Sequence, residues 1–191
     1  MLNLTLSNLS GFFAISFITI SYFTYQKSFY FFYQSICIVF LSLSYFFSGN
    51  YFAMAGLALA LVRTVVFYFY EKLKKVVPIY FCLTFSLLTC ACYFLINIKL
   101  LKTAKLLDLL FLIALILIIF IYRCKKTERL RLLLIIPTTL NVLYNIFDGS
   151  PLFSTLTYLF EFFANLLAIL NYQALPLLKK SLVKSKKSQR K

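Results

Sequence analysis

The sequence predicts an all-α fold, a polytopic membrane bundle of seven transmembrane helices. Three observations carry that prediction. Hydrophobic residues make up 62% of the 191, charged ones only 13%, and the mean hydropathy is +0.90; a soluble domain is roughly 45–50% apolar and about a quarter charged. Apolar runs of about 20 residues, the span of a hydrocarbon core, recur along the whole chain. The twenty Lys and Arg fall almost entirely into the short segments between those runs and into the C-terminal stretch.

The helices follow from the runs and their flanks. The first is expected at 11–25, after an uncharged leader that has neither a positive n-region nor a small-residue cleavage site and so reads as a translocated N-terminus. The second, 29–47, ends before Gly49, and the third, 51–70, ends at the charged Glu71 and Lys72. The fourth, 76–96, carries Pro78 in its first turn, where a missing N–H is tolerated. The fifth, 106–122, opens with Asp108, a carboxylate suited to a helix N-terminus. The sixth, 130–147, contains Pro137, which should bend it locally and free backbone carbonyls. The seventh spans 152–172. Connections are short, as in compact bundles.

Orientation follows from the loop charges. With the N-terminus outside, the inner segments hold Lys27; Lys72, Lys74 and Lys75; Arg123, Lys125, Lys126, Arg129 and Arg131; and seven cations between 179 and 191. That is sixteen against three outside (Lys99, Lys102, Lys105), with Arg63 left inside a helix. The C-terminus is therefore expected in the cytoplasm, its basic tail resting near anionic headgroups. Tyr22, Tyr25, Tyr30, Tyr33, Tyr68 and Tyr70 gather toward the same boundary, where amphipathic rings belong.

Two glycine turns point to an internal repeat. Ser44-Tyr45-Phe46-Phe47-Ser48-Gly49-Asn50 closes the second helix, and Tyr144-Asn145-Ile146-Phe147-Asp148-Gly149-Ser150 closes the sixth. A tight turn between antiparallel helices favours a residue free to take positive φ. Helices one to three then overlay on five to seven, with the fourth as linker. The result is a 3+1+3 arrangement of two parallel three-helix repeats about an axis along the membrane normal. The expected parts are 1–75, the linker at 76–105, 106–178, and the tail 179–191.

Intramembrane charges are rare enough to be functional candidates by default. Arg63 lies fourteen residues past Gly49 and Glu161 twelve past Gly149, at nearly equal depth. Ser154, Thr157, Glu161, Asn165 and Ala168 share one helical face, as do Asn141, Tyr144 or Asn145, and Asp148, and more weakly Ser35, Ser42 and Tyr45. Such stripes must face each other or a wet cavity. The candidate substrate-binding residues are therefore Arg63, Glu161, Asn165, Asn145 and Asp148, with Arg63 and Glu161 converging on the central axis as a pair. The bland alternative is interhelical hydrogen bonding, often only ~0.6 kcal/mol per contact.

Composition also excludes classes. With no His, the five cysteines cannot assemble a Cys/His metal site or a Cys–His nucleophile, so neither a cofactor nor a metal is expected and the cysteines read as packing residues. Scattered carboxylates and no Gly-x-Ser-x-Gly argue against an enzyme. The basic residues make no aromatic-interleaved patch, so nucleic acid is not an expected partner.

The run from Phe47-Ser48-Gly49-Asn50 to Gly56, on to Leu61-Val62-Arg63-Thr64, resembles the YgjV family of bacterial inner membrane proteins (Imp-YgjV). So does Tyr144-Asn145-Ile146-Phe147-Asp148-Gly149-Ser150, continuing through Glu161 to Asn165-Leu166-Leu167-Ala168-Ile169. The resemblance covers most of the chain. It implies an inner-membrane location and an arrangement similar to the PQ-loop/SWEET group of small-solute transporters. No Pro-Gln dipeptide ends the first or fifth helix, so the hinge of that group is missing, and the absence of Trp argues against the related nicotinamide riboside carriers.

Two functions stay open: a small-solute transporter with a site at Arg63, Glu161 and Asn165, and a non-transporting scaffold or accessory subunit with a buried Arg/Glu pair. The expected partners are the bilayer and a small polar solute, with a homo-oligomer as an open alternative. A side-specific reporter fused to each terminus should be active at one end and silent at the other; activity at both ends would mean an even number of spans.

Overall fold

The computed structural model describes residues 2–24, 26–100 and 106–170. The basic tail at 179–191, Lys102, Lys105 and the last residues expected in the seventh helix lie outside them. Seven α-helices are present: α1 (Leu2–Phe23), α2 (Lys27–Ser48), α3 (Tyr51–Lys72), α4 (Ile79–Tyr93), α5 (Leu106–Ile121), α6 (Thr127–Asp148) and α7 (Leu152–Ile169). A π-helical stretch, Phe94–Leu100, continues α4.

The two glycine turns form as expected. Gly49 has φ 80° and Gly149 φ 70°, left-handed values that a side chain resists. Asn50 then caps α3, its side-chain oxygen accepting from the Ala53 N–H at 3.0 Å.

Two helix starts differ from expectation for a visible reason, and the proline of α6 is accommodated within the helix. α1 starts at Leu2 rather than at 11, because its early serines find partners within the protein. Ser10 donates to the Leu6 carbonyl at 2.8 Å, and Ser7 donates to the Ser44 carbonyl of α2 at 2.8 Å. Pro78 is extended (φ −61°, ψ 150°) and precedes α4 as its cap, so that helix starts at Ile79. α6 runs unbroken through Pro137. Just beyond the proline, Thr138 and Thr139 donate to the Leu134 and Ile135 carbonyls at 2.7 and 2.8 Å, adding hydrogen bonds where proline removes one.

Six helices close a ring: α1 packs on α2, α2 on α3, α3 on α5, α5 on α6, α6 on α7, and α7 back on α1. α4 stands outside, against α3 and α5. Five helices are long and apolar enough to cross a membrane, α5 and α7 being shorter. The 16 residues of α5 reach about 24 Å against a core of roughly 30 Å. Yet α5 starts among residues packed near the glycine turns (Phe111 lies 4.9 Å from Tyr144, ring to ring) and ends at Tyr122 beside Phe31 of α2, 5.0 Å away. It therefore traverses the same bundle as its neighbours. Between the two ends the outer surface is largely apolar, from Phe12 and Leu43 to Leu87 and Phe163, which suits lipid and would be an aggregation hazard in water.

Two aromatic-rich clusters fill the interior. Tyr45, Phe52, Phe111 and Tyr144 lie toward the glycine turns, and Tyr30, Phe31, Phe67 and Tyr122 toward the opposite, basic end. The seam between α1 and α7 closes tightly at Gly11, where a Cβ would stand 2.6 Å from Phe153 Cβ and 3.2 Å from its carbonyl carbon. Overpacking typically costs about 1–3 kcal/mol, more than the ~1 kcal/mol that removing a helical glycine gains. Gly11→Ala should therefore lower the thermal unfolding temperature in detergent, and Gly11→Val should lower it further.

Candidate functional site

The polar stripes expected on α6 and α7 face inward. Ser154, Thr157, Glu161 and Asn165 are all buried along α7, and Asn141, Tyr144 and Asn145 along α6. On α2 the interior positions belong to Gln34, Ser44 and Tyr45, while Ser35 and Ser42 are half-buried. Ser35 donates to its own helix, at the Phe31 carbonyl, so it needs no partner across the bundle.

At the glycine-turn end these groups knit α1 and α2 to α6 and α7. Ser7 and Ser44 each donate to the other's carbonyl at 2.8 Å. The Ser44 proton is thereby used, so Ser154 donates across the 2.8 Å contact to Ser44 Oγ. Tyr45 donates its hydroxyl to Asn145 Oδ1, and Asn145 donates to the Asn141 carbonyl at 2.6 Å. Asn50 donates to Tyr144 at 2.7 Å and to Asp148 Oδ2 at 2.9 Å. Asn145 and Asp148, candidates from the sequence, thus belong to this turn-end network, and neither lines the central cavity.

Arg63 and Glu161 do share one site. A small cavity of about 30 Å³ is lined by both, together with Gln34, Asn141, Thr157 and Tyr158. Helices of both halves therefore contribute to it. Arg63 is 3% exposed and Glu161 5%, yet they form no ion pair with each other. The guanidinium reaches across the α3–α5 seam, donating from Nη1 to the Leu115 carbonyl at 2.9 Å and sitting 5.3 Å from the Tyr122 ring centre. Its Nε has no hydrogen-bond partner. Glu161 reaches across the α7–α1 seam to the Tyr22 hydroxyl at 3.4 Å, longer than the usual 2.5–3.0 Å for O–H···O. The expected pairing of the two charges is thus corrected. They converge on one cavity, and each is held by its own neighbours because the groups that bind them lie at different seams.

Asn165 lies one turn beyond Glu161 on the same face, fully buried, with neither amide atom hydrogen-bonded, and it does not line the cavity. Sequence reasoning missed Gln34, although an amide inside the second apolar run was a visible signal. It also missed the Asn97–Asp108 bond of 2.7 Å, which ties the stretch after α4 to α5 and gives Asp108 a partner beyond its helix terminus. Arg131, taken as a loop charge, is buried inside α6 over the Tyr22 ring, 5.2 Å from its centre, and donates to the Tyr22 carbonyl at 3.2 Å. Among the described residues no three His, Cys, Asp or Glu side chains gather to hold a metal ion.

Asn50 links the cap of α3 to α6, which separates two contributions. Asn50→Ser should keep the cap and lose the bonds to Tyr144 and Asp148; Asn50→Ala should lose both and be less stable by about a further 1 kcal/mol. Chemical or thermal unfolding in one detergent compares them directly.

A family model, Imp-YgjV, described as bacterial inner membrane protein, matches residues 5–174. No curated protein and no solved structure matches the chain. The match covers both glycine turns, Arg63, Glu161 and every described helix but the first three residues of α1. The chain belongs to the Imp-YgjV family of bacterial inner membrane proteins.

Proposed function

We propose that this inner membrane protein is a carrier for a small zwitterionic solute, bound at the seam by Arg63 and Glu161. The observation that supports the reading is the two opposite charges lining one cavity without pairing. A charge inside a helical bundle is expensive. A purely structural Arg and Glu would recover that expense most directly by contact, since a buried pair depends on good mutual geometry. Left apart, they offer a cation for a carboxylate and an anion for an ammonium, with Gln34, Asn141 and Thr157 beside them.

In this reading the halves α1–α3 and α5–α7 are parallel repeats about an axis along the membrane normal, as in carriers whose site lies at the repeat interface. The two seams support the relation: Arg63 of α3 sits against Tyr122 at the end of α5, and Glu161 of α7 against Tyr22 at the end of α1. The N-terminus is placed outside, because the glycine turns carry no Lys or Arg and the opposite end gathers Lys27, Lys74, Lys75, Arg123 and Lys125. About 30 Å³ admits one or two waters, so this is a closed state and solute entry requires the halves to separate.

That closed interior favours a second reading, a non-transporting scaffold or accessory subunit in which the charges are structural. One experiment separates the two. In proteoliposomes, the carrier should accumulate at least one of a panel of radiolabelled small amino acids and betaines. Glu161→Gln and Arg63→Gln should each lower the rate roughly tenfold or more, about 1.4 kcal/mol in the barrier, at normal membrane abundance. The scaffold reading wins if no zwitterion is taken up, single variants lose abundance, and the double swap Arg63→Glu with Glu161→Arg restores it.

A further inference from the structure

A charged cavity of about 280 Å³ lies outside the central site at the basic end, between the start of α2, the α3–α4 link and the α5–α6 link. Its charged lining is Lys27, Lys74, Lys75, Arg123, Lys125 and a single acid, Glu71. Lys27 is committed: Nζ lies 2.9 Å from Glu71 Oε2 and donates to the Cys124 carbonyl at 2.9 Å. Arg123 is tied by Nε to the Val77 carbonyl at 3.0 Å. Glu71 balances one cation, which leaves an excess of four positive charges in the cavity.

Lys74, Lys75 and Lys125 are exposed, and no hydrogen bond or ion pair holds their side chains. Lys74 also has φ 54°, the one positive φ outside glycine among the described residues. Its N–H donates to the Glu71 carbonyl at 2.9 Å and that of Lys75 to the Tyr70 carbonyl at 2.9 Å, closing α3 in a turn that glycine would adopt without strain. A cation stands where the backbone favours glycine, beside a cavity already in cationic excess. Leu73, Val76, Ile79 and Tyr80 are exposed on the same link, which places the mouth at the level where apolar chains give way to headgroups.

We propose that this cavity binds a phosphate-bearing anion, specifically the phosphodiester headgroup of an anionic phospholipid whose acyl chains stay along Leu73, Val76 and Ile79. Basic pockets between transmembrane helices take such headgroups. Free inorganic phosphate shares the recognising chemistry but gains nothing from the apolar residues at the mouth. The site is separate from the central cavity and stands independently of the carrier reading.

The test uses the full chain in nanodiscs of phosphatidylcholine with a minor fraction of phosphatidylglycerol, and reads lipid retained on the protein by native mass spectrometry. Wild type should retain phosphatidylglycerol, and Lys74→Gln, Lys75→Gln and Lys125→Gln combined should reduce retention roughly tenfold. Lys72→Gln, which removes a charge on α3 outside the cavity, should leave retention near wild type. Lys74→Gly separates binding from folding: it should unfold at a higher temperature than wild type in pure phosphatidylcholine, yet retain less phosphatidylglycerol. Equal loss in Lys72→Gln and the triple variant would reduce the effect to general surface attraction and overturn the site. Protection by inorganic phosphate alone, abolished in the triple variant, would overturn the lipid assignment.

Discussion

In a hydrocarbon core, water cannot satisfy a polar group, so every hydroxyl, amide and charge carried inward must find a partner within the protein. That constraint organises this molecule. Helical backbones satisfy themselves, and the side chains that remain are gathered at the seams between packed helices. Ser7, Ser44 and Ser154 form one chain of hydroxyls across three helices. Tyr45 with Asn145, and Asn50 with Tyr144 and Asp148, join the second helix and its turn to the sixth. Each bond is small by itself in a membrane. Placed together at one end, they hold the glycine turns side by side.

The two ends and the middle meet the constraint differently. At the turn end, the two glycine turns carry no Lys or Arg and are densely hydrogen-bonded. At the basic end cations can stay exposed, and the half-buried Lys27 and Arg123 and the buried Arg131 lean on backbone carbonyls. The middle has room for one or two waters at most and few spare carbonyls. There Arg63 uses Leu115 and a tyrosine face, and Glu161 reaches Tyr22 through a long contact. Unbonded buried polar atoms remain at both levels: on Asn8 and Ser150 near the turn end, and on Gln34, Arg63, Asn141 and Asn165 deeper in the bundle.

Much of this was legible beforehand. Helix number, the two glycine turns, the inward stripe of α7 and the shared depth of Arg63 and Glu161 all follow from spacing in an apolar chain. The errors have a common cause. Asn3, Ser7 and Asn8 read as a polar leader because nothing local reveals that Ser44 lies opposite. Asn145 and Asp148 carried the same marks as Glu161, and only the position of Asn50 and Tyr45 shows that they seal a turn. Arg131 was counted with the inner charges because it stands in the first turn of the sixth span, and its burial over Tyr22 is a contact between distant segments.

The sequence by itself determined what a bilayer dictates locally: which segments are helical, where the glycines reverse the chain, and which residues are too polar to face lipid. Each of these depends on a side chain's own transfer free energy or backbone preference, which travels with the residue. Tertiary structure alone decided who partners whom. It closed the ring α1–α2–α3–α5–α6–α7 with α4 outside, set Arg63 and Glu161 on one cavity but on separate seams, and gathered cations from three links into one basic cavity. Those outcomes depend on distances between segments tens of residues apart, which packing sets and no local pattern encodes.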